Sequence, residues 1–241
     1  MKTRWMYGSL KLLILFAIGG YGVGTANAQA KSEDLGDARK DAREATQVLS
    51  EMMAKPDDFI PHELLEKAKG IAVFPGVVKG AFIVGARGGH GVISRRTAAG
   101  WSVPVFYNIG GASFGAQIGV EKTDYIVLFM NDTTLSNLGE KLEFGGDLSF
   151  AAGPVGRTAG AAVTPDAAVL TWSRSKGAFI GAALKGADIS ADNSKNQAVY
   201  GMTAEEIMRN PERVKRAGLP SEITAFDRTV RSYAGNTSAR K

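Results

Sequence analysis

The segment from Gly70 to Tyr107 reads GIAVFPGVVKGAFIVGARGGHGVISRRTAAGWSVPVFY. Short runs of β-branched and aromatic residues alternate in it with glycines, a pattern that is typical of short strands joined by tight turns. Runs of this kind continue through the middle of the chain at intervals of about ten residues. They are Ile71–Phe74, Ala81–Val84, Val92–Ser94, Trp101–Tyr107, Ser113–Val120, Tyr125–Met130, Leu142–Phe150, Val169–Trp172 and Ala178–Leu184.

No helical period separates these runs, which favours an all-β barrel or sandwich over β-α-β units. Helical patterns lie outside them. Apolar residues recur every three or four positions after Ser32, shorter patterns cover 61–68 and follow Thr203, and Ser221–Tyr233 reads as a last helix. The sequence therefore predicts a mainly β fold with flanking α, in which a small β-barrel core carries about three or four helices packed outside.

The first 28 residues have the three-part pattern of a secretory signal peptide. Lys2 and Arg4 precede an apolar run at 12–18, and small residues lead to an A-x-A site at Ala26–Ala28. The apolar run is shorter than the ~20 residues of a bilayer span. We expect cleavage before Gln29 and export to the periplasm or the medium. Residues 29–241 are then expected to form a single domain, with a core at about 32–201 and a C-terminal helical extension at 203–235.

Charge and composition exclude several classes of protein. The chain has 241 residues, 29 Lys and Arg against 24 Asp and Glu, and no Cys. Without Cys there is no disulfide framework, thiolate zinc site, catalytic cysteine or lipoprotein anchor. Removal of residues 1–28 leaves 26 basic and 24 acidic side chains. Nucleic acid is therefore disfavoured as a partner, since its recognition calls for a strongly basic surface.

The charges are nevertheless unevenly distributed along the chain. The residues from Lys67 to Val120 include six cations and no Asp or Glu. Such a stretch can project a local positive field although the whole molecule is nearly neutral.

Motifs of catalysis and of cofactor or metal binding are incomplete in this sequence. Gly111–Gly115 fits the G-x-S-x-G pattern of an α/β-hydrolase, but His62 and His90 both precede Ser113, whereas that fold places the histidine after the serine. The alternating polar residues 188–196 lack the glycine and glutamate of a calcium loop and read as a solvated polar loop. We predict no catalytic residue, no metal site and no cofactor.

An ordered set of motifs resembles the SYLF domain. It consists of KAKGIAVFP at 67–75, GWSVPVF at 100–106, QIG at 117–119, MN at 130–131, GGD at 145–147, AGPVGR at 152–157, SRSKG at 173–177 and YG at 200–201. The resemblance implies a β-barrel core with helices on its surface. It also implies peripheral contact with membranes through affinity for anionic phospholipids or phosphoinositides, without enzymatic activity. The alternative is a structural or protein-interaction scaffold of the envelope with no specific lipid; protein partners are unknown.

The cations of the acid-free stretch are the candidates for lipid head-group binding, since a phosphate group calls for several converging Lys or Arg donors. They are Lys67, Lys69, Lys79, Arg87, Arg95 and Arg96. A scatter of solvated surface charges is the alternative for any one of them. If the six form one basic face, reversal of Arg95 and Arg96 to Glu should abolish lipid binding and leave the fold intact. Alternation places Trp101 in the core rather than against lipid, and Arg157 and Arg174 are expected to pair with an acid such as Asp147.

Overall fold

A computed structural model describes most of the chain after the predicted signal peptide. The described residues are 22–54, 60–81, 84–114, 119–136, 138, 141–143, 150–153, 167–175, 178–181, 184 and 186–235. The predicted signal peptide lies mostly outside them, so cleavage before Gln29 stays a prediction.

Ten strands and six helices are present in these residues. The strands are β1 (Gly70–Ala81), β2 (Val84–Thr97), β3 (Gly100–Trp101), β4 (Val105–Phe114), β5 (Gly119–Phe129), β6 (Lys141–Glu143), β7 (Phe150–Ala152), β8 (Val169–Ser175), β9 (Ala178–Gly181) and β10 (Ala187–Ala191). The helices are α1 (Gly22–Ala54), α2 (His62–Lys67), α3 (Asp132–Ser136), α4 (Asn193–Tyr200), α5 (Ala204–Arg209) and α6 (Ser221–Ala234).

The strands form one curled sheet in the order β6-β10-β4-β2-β1-β5-β8-β7, with β3 beside β2 and β9 beside β8. All pairs are antiparallel except β7 with β8. The mainly β fold with helices packed outside is confirmed. Within the described residues the two ends of the sheet do not pair with each other, so the barrel is a half-barrel.

Two element predictions need correction. Ala81–Val84 is not a separate strand, because Ala81 ends β1 and Val84 begins β2. The described residues also hold six helices rather than three or four. The additional ones are the short helices α3 and α4. Residues 193–200 form α4 instead of continuing a polar loop: Asp192 caps the helix by accepting from the Lys195 amide, and Gly201 ends it at a φ of 67°. A side-chain cap of this kind is a general signal for a helix start.

A bulge in β1 curls the sheet. The register of β1 shifts between Val73 and Val78 against β2, and between Phe74 and Val77 against β5. Gly76 adopts a φ of 56°, which favours glycine, and its amide donates to Asp124 Oδ1 at 2.7 Å. An extra residue of this kind bends a strand and increases its twist.

Both faces of the sheet are buried along most of its length. We call the side that carries Ile71, Val73 and Trp172 the α1 face, because α1, α2 and α6 pack on it. The α5 face is the opposite side, where Phe74, Tyr107 and other side chains pack against α3 and α5. Trp101 is fully buried in the cluster on the α1 face, as its place in the alternation predicts.

Helix α1 packs through the predicted apolar stripe. Its buried members are Ala38, Ala42, Ala45, Leu49 and Met52. The helix begins at Gly22, ten residues before the expected start at Ser32.

Ion pairs tie α1 to three neighbouring elements. Asp41 accepts from the buried Lys195 ammonium of α4 at 2.8 Å. Glu51 pairs with Arg174 of β8, which also holds Asp124, and Arg39 donates to Glu222 of α6 at 2.9 Å. Arg174 thus pairs with Glu51 and Asp124; Asp147 and Arg157 lie outside the described residues. None of the helices in the described part of the chain is long and apolar enough to cross a membrane.

Candidate functional site

The structure divides the six predicted head-group cations into two groups. Lys67, Lys69, Arg95 and Arg96 lie where α2 meets the first residues of β1, and we call them the helix-end group. Lys79 and Arg87 lie near the other end of the β1–β2 hairpin and form the strand-end pair. At ~3.3 Å per residue, Lys69 and Lys79 are separated by about 30 Å along β1. The six cations therefore do not converge on one site.

Arg96 has a structural role. Its guanidinium donates to the carbonyl oxygens of Ala68 at 2.9 Å, Leu65 at 2.8 Å and Ala234 at 3.2 Å, at the ends of α2 and α6. It also lies 4.4 Å from the centre of the Trp101 ring, within cation–π distance. Burial lowers its pKa, although Glu66 acts in the opposite direction. Reversal of Arg96 to Glu would therefore disturb the fold, contrary to the expectation from the sequence.

The other members of the helix-end group are partly neutralised. Arg95 lies in β2 rather than in a turn; it donates to the Met208 carbonyl at 2.5 Å and lies 3.7 Å from Asp132. The Lys69 ammonium is 3.9 Å from the same carboxylate. Lys67 is exposed at the last residue of α2.

The strand-end pair lies on the α5 face. Lys79 stands directly opposite Arg87 in the β1–β2 register, and directly opposite residues share one face of an antiparallel pair. Two residues earlier, Val77 is buried in the cluster of the α5 face. Arg87 Nε is buried and has no hydrogen-bond partner among the residues that the structure describes. Within the described ranges, neither cation has an ion-pair partner.

Polar side chains that the sequence did not single out surround the pair. Glu121 of β5 stands directly opposite Lys79 on its other side, and the Ser175 hydroxyl donates to Glu121 Oε1. Burial raises the pKa of Tyr125, and the negative charge of Glu121 acts in the same direction. The positive charge of Arg87 and a hydrogen bond between Thr123 and the Tyr125 phenol act in the opposite direction. The alternation Glu121-x-Thr123-x-Tyr125 could have shown that these three share a face. Their position beside Lys79 depends on the strand register.

The opposite side of the same strand ends is exposed and apolar. Val78 is 41% exposed and Val120 is 78% exposed, the large apolar side chains that stand out to solvent in the described residues. Exposed Lys122 stands directly opposite Val78. An added Cβ at Gly80 or at Gly88 would meet no atom within 4 Å. None of the residues that the structure describes therefore covers this end of the α1 face.

The residues of the hydrolase-like motif do not form a nucleophile elbow. Ser113 lies inside β4 opposite Gly85, whereas an elbow needs a sharp strand-to-helix turn. His90 lies in β2, and its Nδ1 is 2.6 Å from Asn108 Oδ1. His62 begins α2, with Nδ1 3.3 Å from the Tyr233 carbonyl.

Comparison with known proteins assigns the chain to a family. The Ysc84 profile, described as "Las17-binding protein actin regulator", matches residues 110–233. The chain is 36% identical over 168 residues to human SH3 domain-containing YSC84-like protein 1, covering 68% of this chain and 48% of that protein. It is 33% identical over 195 residues to Protein YSC84 of Saccharomyces cerevisiae, covering 76% and 42%.

The chain spans about half the length of the curated relatives it matches. No solved structure gives a significant match. The profile covers more than half of the 241 residues, in agreement with the ordered motifs of the sequence. The chain belongs to the Ysc84 family of SYLF domains.

Proposed function

We propose that this chain is a non-catalytic binding module that attaches peripherally to membranes containing anionic phospholipids, phosphoinositides among them. One observation carries the proposal: the ends of β1 and β5 present apolar side chains together with cations that have no ion-pair partner in the described residues. Val78 and Val120 are exposed on the α1 face beside Lys122, and Lys79 and Arg87 lie on the α5 face of the same strand ends.

This combination suits a bilayer surface. Complete burial of a valine side chain is worth about 1.5–3 kcal/mol, and partial insertion into the headgroup region yields a fraction of that. A cation near an anionic membrane surface contributes about 1 kcal/mol. With the strand ends directed at the bilayer, so that both faces of the sheet meet its surface there, two valines and three cations support reversible binding that depends on anionic lipid and on ionic strength.

Liposome co-flotation tests the proposal directly. The purified protein should float with vesicles that carry anionic phospholipid or phosphoinositide. With zwitterionic vesicles it should remain unbound in the bottom fraction. Binding should be lost at ~0.5 M salt, where the Debye length falls to about 4–5 Å. Absence of binding to every vesicle would contradict a lipid function.

Variants in which glutamine replaces cationic side chains locate the membrane contact. Lys79→Gln with Arg87→Gln should weaken flotation with anionic vesicles at least fivefold, because two cations of the strand ends are removed. The matched control is Lys40→Gln with Arg43→Gln, which makes the same change in net charge on exposed positions of α1. Equal losses in the two double variants would show diffuse attraction and would remove the strand-end pair from the site.

A protein partner is the second candidate function. It is favoured by the name of a relative, LAS seventeen-binding protein 3 of Saccharomyces cerevisiae, which is 33% identical over 189 residues. Co-sedimentation with filamentous actin tests the part of this function that the family description indicates. Actin binding without vesicle binding would favour the scaffold over the lipid module.

We further propose that the protein acts after export, in the periplasm or outside the cell. The basic start, apolar run and A-x-A site of residues 1–28 support this proposal. An intact-mass measurement of the protein from its natural host should show an N-terminus at Gln29. Retention of Met1 would contradict it.

A further inference from the structure

Glu121 places a carboxylate beside the strand-end cations. The register puts Arg87, Lys79 and Glu121 in one row across β2, β1 and β5. Neighbouring strands lie ~4.8 Å apart, so the row spans about 10 Å, the size of a phospholipid headgroup. Directly opposite residues of an antiparallel sheet share one face, so the Arg87, Lys79 and Glu121 side chains lie on the same side of the sheet.

The Glu121 carboxylate retains free acceptor capacity. Its Oε1 accepts from Ser175, and Oε2 has no hydrogen-bond partner in the described part of the chain. An ionised carboxylate only accepts hydrogen bonds. It therefore offers a headgroup a site for a hydroxyl donor on the strand next to Lys79.

A row of two cations and one carboxylate is not the best partner for a bare phosphate. A phosphate monoester with no other polar group would gain the cations but would offer no donor to Glu121 Oε2, and its second negative charge would be repelled by the carboxylate. A phosphodiester with free hydroxyl groups satisfies all three side chains. The cations bind the phosphate oxygens, and the hydroxyls donate to Glu121 in a charge-assisted hydrogen bond.

We propose that Glu121 makes the strand-end site selective for phospholipids whose headgroup carries hydroxyl groups beyond the phosphate, as a glycerol headgroup does, over phosphatidic acid. This inference rests on the proposed lipid function and names the headgroup class of that same site. Specificity arises as a difference of affinities, to which the carboxylate contributes a favourable and a repulsive part.

Phosphatidylglycerol and phosphatidic acid vesicles test the proposal. Phosphatidic acid carries at least as much negative charge, so diffuse attraction alone would favour it. The protein should instead bind phosphatidylglycerol roughly tenfold more tightly, the effect of one charge-assisted hydrogen bond. Glu121→Gln should remove this preference and raise binding to phosphatidic acid. Glu143→Gln, which removes an exposed carboxylate of β6, should leave the preference unchanged.

The outcomes separate the two proposals. Loss of binding to both kinds of vesicle would refute the lipid function. Binding with equal or greater affinity for phosphatidic acid, or a preference that survives Glu121→Gln, would overturn the selectivity alone. Soluble glycerophosphoglycerol should compete with phosphatidylglycerol vesicles, because it carries the headgroup without acyl chains. Equal competition against the wild-type protein and the Glu121→Gln variant would overturn the role of Glu121.

Discussion

Replacing Gly91 with alanine should destabilise the protein by about 3–5 kcal/mol, near the upper end for a single substitution. A Cβ at this position would lie 2.3 Å from the Val73 carbonyl oxygen and 2.8 Å from Phe74 Cα. Both atoms belong to the backbone of β1 at its bulge, so no side-chain rotation relieves the overlap. The midpoint of thermal unfolding should fall by about 10 °C or more, measured by circular dichroism.

Gly88→Ala in the same strand is the matched control. A Cβ there would meet no atom within 4 Å, and alanine is favoured over glycine in a strand by roughly 0.5–1 kcal/mol. The midpoint should stay the same or rise slightly. Equal destabilisation by the two substitutions would contradict the close approach of the β1 backbone to Gly91.

Arg96→Met should lower the free energy of unfolding by about 3 kcal/mol. The change keeps much of the apolar stem but leaves three carbonyl oxygens at the ends of α2 and α6 without their donor. An unsatisfied buried carbonyl costs roughly 1–3 kcal/mol, and the cation–π contact with Trp101 is lost as well. Chemical denaturation followed by tryptophan fluorescence measures the effect.

Arg95, the neighbour of Arg96 in β2, provides the comparison for this loss of stability. Arg95→Met removes one hydrogen bond to the Met208 carbonyl and a distant pairing with Asp132, so we expect a loss of about 1 kcal/mol. A smaller effect at Arg96 than at Arg95 would contradict the structural role of Arg96. The two variants also show whether lipid binding can be tested at this end of the sheet without loss of the fold.

The elements with strong local signals could be predicted from the sequence. The stripe on α1 is buried as its spacing indicates, and the capping box at Thr203 and Glu206 begins α5. The short helices α3 and α4 were missed because a few residues carry too little periodicity to be separated from a polar loop. The sequence also predicts separate strands at Ile71–Phe74 and Ala81–Val84, whereas the bulged strand β1 continues from Gly70 to Ala81.

The candidate site was predicted in part. Lys79 and Arg87 were candidates because they lie in the acid-free stretch, but the same argument added Arg96, which holds helix ends. The charge pattern does not point to Glu121, because this residue stands just beyond that stretch, in a block of acids. Charge along the chain does not reveal which cations find partners within the protein.

The amino-acid sequence alone determines which segments form strands and which form helices. It also determines which kinds of site the absence of cysteine excludes, and it contains the motifs that identify the family. These features depend on residues close together in the chain. The row of Arg87, Lys79 and Glu121 depends instead on the register of three strands, which the bulge at Gly76 shifts. The roles of neighbouring Arg95 and Arg96 likewise depend on where α2, α5 and α6 end in space. Only tertiary packing brings those distant groups within hydrogen-bond reach.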